Sequence, residues 1–177
     1  HQLPGSEDGD STTRWSPDGH AMAFLATRRT GVPKPGTAPH STQLWLASPW
    51  DAPARPLSHF PGSVSGFRWS PDGRQIAALV NAEPASPERG NGVIVVGRNP
   101  PAAQVYLIDV TSGSARAVTS PGTFAFDVDW SPEGKRLVVR YGAGSGLDYF
   151  WYQSRVAVID LLGRQLALLP HRATAVH

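Results

Sequence analysis

The segment Gly62-Ser63-Val64-Ser65-Gly66 is the nearest this chain comes to Gly-x-Ser-x-Gly, the strand-to-helix turn that lifts a nucleophilic serine clear of a sheet. Val64 holds the nucleophile position and no helical pattern follows, so the segment is expected to be a link between structural units. No catalytic residue is assigned on that basis. Gly142-Ala143-Gly144-Ser145-Gly146 has the composition of a phosphate cradle, yet no helix opens after it whose N-terminus would meet an anion, and a loop is expected. Asp127 and Asp129 flank Val128 and therefore share one side of a strand. Paired carboxylates can do acid–base work, but turn and inter-unit hydrogen bonds are their expected use.

Candidates for contacting a substrate or partner are fewer. Tyr149-Phe150-Trp151-Tyr152 places four aromatics in a row, and Tyr149 and Trp151 could form a binding surface, with packing between units as the competing reading. Glu83 and Glu88 lie in the long segment between Asn81 and Ala103, on the variable end of the array, and are candidates for contacting a substrate or partner if they are more than solvated loop charges. His1, His20, His40, His59, His171 and His177 show no i, i+4 pair or carboxylate pattern for a metal. Glu7-Asp8-Gly9-Asp10 is acidic but lacks a calcium-loop signature. No metal and no cofactor are implied.

The elements that must hold these residues form a repeat. Arg14-Trp15-Ser16-Pro17-Asp18-Gly19 recurs as Arg68-Trp69-Ser70-Pro71-Asp72-Gly73 and as Asp129-Trp130-Ser131-Pro132-Glu133-Gly134. Serine bonds nearby backbone, proline sets φ and the closing glycine takes a positive φ, which together suit a tight hairpin turn. Trp15, Pro17, Gly19, Trp69, Pro71, Gly73, Trp130, Pro132 and Gly134 are thus the structural signature of the repeat. Apolar stretches follow each turn: Met22–Leu25, Ile76–Val80 and Leu137–Val139. A second hairpin begins at Gln43–Leu46, Gln104–Asp109 and Arg155–Asp160, and closes on Arg55–Ser58, Arg116–Thr119 and Gln165–Leu168.

Four strands per unit, repeated with an aromatic in each, predict an all-β fold: a β-propeller fragment of about three four-stranded antiparallel blades, near residues 11–60, 63–122 and 125–170. Residues 1–10 are expected to be a disordered or partial lead-in, and a start without Met suggests a fragment or processed chain. Trp45 to Trp69 and Tyr106 to Trp130 both span 24 residues. The length variation therefore falls between the second and third strands, and one end of the array carries it. Three blades are also expected to form an open arc whose two end faces expose apolar surface.

Composition bounds the rest. Hydrophobic residues are 40% of 177, enough for a core, while 18 Gly and 17 Pro imply many turns. Sixteen basic and 14 acidic residues leave a net charge of +2, which does not indicate nucleic acid. No apolar run is long enough for a membrane span. The absence of Cys excludes disulfides without deciding between periplasm and cytoplasm.

Trp-Ser-Pro-Asp-Gly followed by Ile-Ala-Ala or Met-Ala-Phe resembles the repeat of TolB-like propellers and of the propeller domain in prolyl oligopeptidase family serine peptidases. The stretch Leu57 to Trp69, the long charged, Pro-rich insertion, and Gln104–Asp109 with Thr119 are most similar to the acylaminoacyl-peptidase and dipeptidyl-peptidase branches. The resemblance covers about Ser11 to Leu169. It implies a non-catalytic domain that caps an α/β-hydrolase domain of the same parent chain and gates its peptide substrates. The alternative it leaves is a TolB-like periplasmic protein-binding propeller with no enzymatic activity.

Overall fold

The computed structural model describes residues 11–27, 41–48, 52–82, 102–144 and 152–169. They form twelve strands in three sheets, each running in chain order with antiparallel neighbours. The first blade is β1 (Ser11–Trp15), β2 (Met22–Ala26), β3 (Gln43–Ser48) and β4 (Ala52–Pro56). The second is β5 (Val64–Trp69), β6 (Gln75–Asn81), β7 (Ala103–Asp109) and β8 (Ala115–Ala117). The third is β9 (Phe124–Trp130), β10 (Arg136–Gly142), β11 (Arg155–Asp160) and β12 (Gln165–Leu169). The chain is all-β, as the repeat predicts.

The Trp-Ser-Pro-Asp-Gly turns close the first hairpins by one mechanism. Gly19, Gly73 and Gly134 donate their N–H to the carbonyls of Ser16, Ser70 and Ser131. All three glycines have φ between 70° and 73°, a conformation other residues adopt only at a cost. Each serine hydroxyl accepts the N–H that re-enters the next strand, from Ala21, Gln75 and Arg136. In the first two turns the serine also donates to the aspartate, Asp18 or Asp72. That bond, helped by the N–H of His20 or Arg74, holds each carboxyl below the usual carboxylate range.

Strand alternation sends each blade's apolar side chains to two faces, and the faces meet in pairs. Ala23, Leu25, Leu44, Leu46 and Leu57 of the first blade pack with Val64, Phe67, Ile76, Ala78, Val80 and Ile108 of the second. The other face of the second blade, Ala77, Leu79, Val105, Leu107 and Val118, packs with Val128, Trp130, Leu137, Val139, Ala157 and Ile159 of the third. Each fully buried Leu, Ile, Val or Phe contributes about 1.5–3 kcal/mol relative to exposure. The cores therefore lie between blades, and neither sheet face is complete alone.

Polar links repeat with the same step. The Trp69 indole N–H donates to the Arg14 carbonyl at 3.2 Å, and the Trp130 indole to the Arg68 carbonyl at 3.1 Å. At the outer edge Arg55 donates to the Val110 carbonyl and Arg116 to the Leu161 carbonyl. Pro17 lies against Gly73, and Pro71 against Gly134, so successive turns stack. In the third blade Ala167 occupies the register position of Arg55 and Arg116, and this series stops.

The end faces differ from the expectation of exposed apolar surface. On the first blade, Met22, Phe24 and Trp45 form a third cluster and are buried. On the third blade the expectation fits better: Val138, Val156 and Val158, on the face turned away from the second blade, are only partly buried, and Leu169 on the same face is 50% exposed.

Candidate functional site

The two hairpin turns of each blade lie at one end, and the β2–β3, β6–β7 and β10–β11 connections lie at the other. At this second end the three blades can be compared position by position. Ala26 pairs with Gln43, Val80 with Gln104, and Tyr141 with Arg155, each at the last rungs of the ladder.

In the first blade Gln43 is a structural tie. Its Nε2 donates to the carbonyls of Phe60 and Gly62, at 3.0 and 3.1 Å, and to the Ser41 hydroxyl. Its Oε1 accepts the Phe60 N–H at 2.9 Å and the Ser58 hydroxyl at 2.8 Å. The buried amide thereby fastens the link that leads to the second blade. Gln104 repeats part of this, donating to the Thr119 carbonyl at 3.1 Å. The hydroxyls of Ser58 and Thr119 also accept the N–H of Leu44 and Val105. Such buried ties are retained because an unmade bond there leaves a desolvated polar group.

The third blade departs from this plan. Arg155 replaces the glutamine, Tyr141 replaces Ala26 and Val80, and the sequence has Pro170 in line with Ser58 and Thr119. Tyr141, Gly142, Ala143, Gln153, Ser154 and Arg155 border a cavity of about 470 Å³. The side chains of Tyr141, Gln153, Ser154 and Arg155 have no hydrogen-bond or ion-pair partner among the described residues. Tyr141 is held from behind, packed half-buried on the core between the second and third blades. Gly142 is required by a close approach: a Cβ there would meet the Phe126 ring at 2.9 Å. The site therefore presents a cation, a phenol, a hydroxyl and an amide at the mouth of a rigid sheet.

The residues singled out from sequence fall as follows. Glu83, Glu88, Tyr149 and Trp151 lie outside the described residues. Gly62 and Ser63 lie in the link before β5, and Val64, Ser65 and Gly66 lie within it. Ser63 accepts the Thr42 N–H, and Ser65 donates to the Leu79 carbonyl at 3.4 Å. Asp127 forms an inter-blade ion pair with Arg68 at 3.6 Å, and Asp127 and Asp129 each accept the N–H of the following residue. Trp69 and Trp130 are the inter-blade donors described above, whereas Trp15 is 54% exposed. Pro132 lies in the third turn, two residues before Gly134. Arg155 and Tyr141 belong to no motif that marks them in the sequence. The available signal was the break in the repeat, an arginine where two earlier units have glutamine.

Among the described residues no group of three or more His, Cys, Asp or Glu side chains could hold a metal ion, and no helix is long and apolar enough to cross a membrane.

No protein-family model matches the chain. An uncharacterized peptidase of Bacillus subtilis (strain 168), YuxL, is 31% identical over 151 residues, covering 75% of this chain and 22% of its own length. The chain thus spans about a fifth of that curated relative. Among solved structures, a putative TolB from Agrobacterium tumefaciens matches 92% of this chain and 51% of its own, with a TM-score of 0.59 and 18% identity. The acylaminoacyl peptidase of Pyrococcus horikoshii matches 93% of this chain and 25% of its own, with a TM-score of 0.59 and 16% identity. The tricorn protease covers 86% of this chain and 14% of its own, with a TM-score of 0.60 and 11% identity.

Proposed function

We propose, from the premise that this chain is a propeller segment of the prolyl oligopeptidase type, that it is the non-catalytic portion of a peptidase and limits which peptides reach the catalytic centre. The observation that carries the reading is the identity shared with a peptidase over three quarters of the chain. The geometry is consistent with it. Binding groups stand at the end where the connections vary, on sheets locked to one another by repeated bonds, which is where a rigid scaffold places its recognition residues. The serine-rich segment that most resembles a nucleophile elbow is taken up by a link and a strand. The catalytic serine, aspartate and histidine would then belong to an α/β-hydrolase domain of the same protein.

The test uses the full-length protein that contains this chain. It should hydrolyse aminoacyl or acylaminoacyl chromogenic substrates, lose that activity to a serine-directed inhibitor, and discriminate against long peptides. Deleting the propeller should relax the length discrimination. A full-length protein that binds another protein and hydrolyses no peptide overturns the reading in favour of a TolB-like binding propeller.

A further inference from the structure

We infer that the cavity beside Arg155 binds a carboxylate, and that the group carrying it is the C-terminal end of a short peptide. The internal repeat supplies the control. At the same register position Gln43 and Gln104 spend their amides on their own chain, whereas Arg155 is exposed and makes no bond to it. A residue that holds the fold in two copies has become, in the third, a cation facing a cavity. Its partner across the ladder changes with it, from Ala26 and Val80 to Tyr141. The two substitutions place a guanidinium and a phenol side by side.

The chemistry of the lining selects the ligand. Arg155 brings a planar fork of donors that suits two oxygens of one carboxylate, and the Tyr141 and Ser154 hydroxyls and the Gln153 amide add neutral donors. The described lining holds one positive charge and no carboxylate to neutralise it. One charge balances a carboxylate, while a phosphate dianion would leave a negative charge uncompensated. The Tyr141 ring and Ala143 supply apolar wall, and a volume of about 470 Å³ is within the range of sites that enclose small molecules. A body of two or three residues fits that space. The carboxylate assignment stands on this geometry alone. The choice of a peptide to carry it rests on the peptidase reading.

Calorimetric titration of the full chain tests both parts, with N-acetyl-trialanine as the free acid, its C-terminal amide, acetate and inorganic phosphate. The free acid should bind, and the amide should bind about ten-fold or more weaker, the scale of one lost charged hydrogen bond. Arg155→Gln, which restores the residue of the other two blades, should lose the acid by a similar factor while melting at the same temperature as the parent chain. Arg155→Lys should fall between them. Equal affinity for acid and amide, an unchanged Arg155→Gln variant, or no binding of the acid overturns the carboxylate site. Acetate binding as tightly as the peptide acid keeps the carboxylate site and overturns the peptide. Phosphate binding more tightly than the acid overturns the charge argument.

Discussion

Gln43 and Arg155 stand at the same rung of the same ladder in the first and third blades, and they do opposite things. Gln43 is buried, with four side-chain hydrogen bonds to Ser58, Phe60 and Gly62 that fasten the next link. Arg155 is exposed beside a cavity and has no partner among the described residues. The difference teaches that a repeat scaffold keeps its fold through whichever copies carry the tie, which releases the equivalent position elsewhere for recognition. The same grading runs through the tryptophans. Trp130 is buried and bonded to the preceding blade, Trp69 is half-buried and bonded, and Trp15 is 54% exposed.

The tryptophan series offers the largest effect. Trp130→Ala should destabilise by about 3–5 kcal/mol, because it opens a core cavity and removes the bond to the Arg68 carbonyl. Trp15→Ala should stay under about 1 kcal/mol. Urea denaturation of the two variants measures the contrast, and equal midpoints would show that the motif works identically in every blade.

Next comes a pair of turn glycines. Gly163 has φ of 84°, and a Cβ there would overlap the Val118 carbonyl of the preceding blade. Gly19 has φ of 73° and open space around it. Gly163→Ala should destabilise by about 2–3 kcal/mol and Gly19→Ala by about 1, the difference being the backbone contact between blades. Thermal melts that rank the two in reverse order would place the strain within the turn itself.

Gln43→Ala should destabilise by about 1–3 kcal/mol, since it strands the Phe60 N–H and two link carbonyls. Arg155→Ala should change stability by less than about 0.5 kcal/mol. Amide hydrogen exchange at Phe60 should rise in the first variant only. A loss of stability in Arg155→Ala comparable to that in Gln43→Ala would mean that the arginine is also a structural tie.

Acid provides the mildest probe. Asp18, Asp72 and Asp109 have carboxyls held low, the first two by the neighbouring serine hydroxyl and backbone N–H, and Asp109 by the Ser112 N–H, the Ser112 hydroxyl and the Thr111 N–H. A carboxyl depressed on folding stabilises the native state above its unfolded value and loses that contribution as pH falls through the folded one. The melting temperature should therefore be level from neutrality to about pH 4 and decline below it. Asp72→Asn should flatten the decline, and an identical acid limb in that variant would assign it to other groups.

Much of the fold was legible because its causes are local. The Ser-Pro-Asp-Gly turns set their own φ and their own hydrogen bonds, so the three turns and the strands on either side follow from adjacent residues. Strand limits drifted where that help ended. The sequence pattern predicts one strand over Arg55–Ser58, yet β4 stops at Pro56, and the N–H groups of Leu57 and Ser58 both reach the Leu44 carbonyl as the chain leaves for the next blade. Proline has no N–H to continue a ladder, but whether the chain turns there depends on what lies ahead. The site was less legible. Arginine at 155 reads as an ordinary solvated charge until the register sets it against Gln43 and Gln104 and beside Tyr141.

By itself the sequence determined the repeat, the four-stranded unit, the turn chemistry and the end of the array that varies, since each of these is encoded within a few residues of chain. Only the tertiary structure decided which tryptophans are buried, which carbonyls their indoles reach and which polar side chains are left unbonded. Those outcomes depend on groups 55 or 62 residues apart, as in Trp69 with Arg14 and Trp130 with Arg68, and spacing along the chain carries no distance in space over such separations.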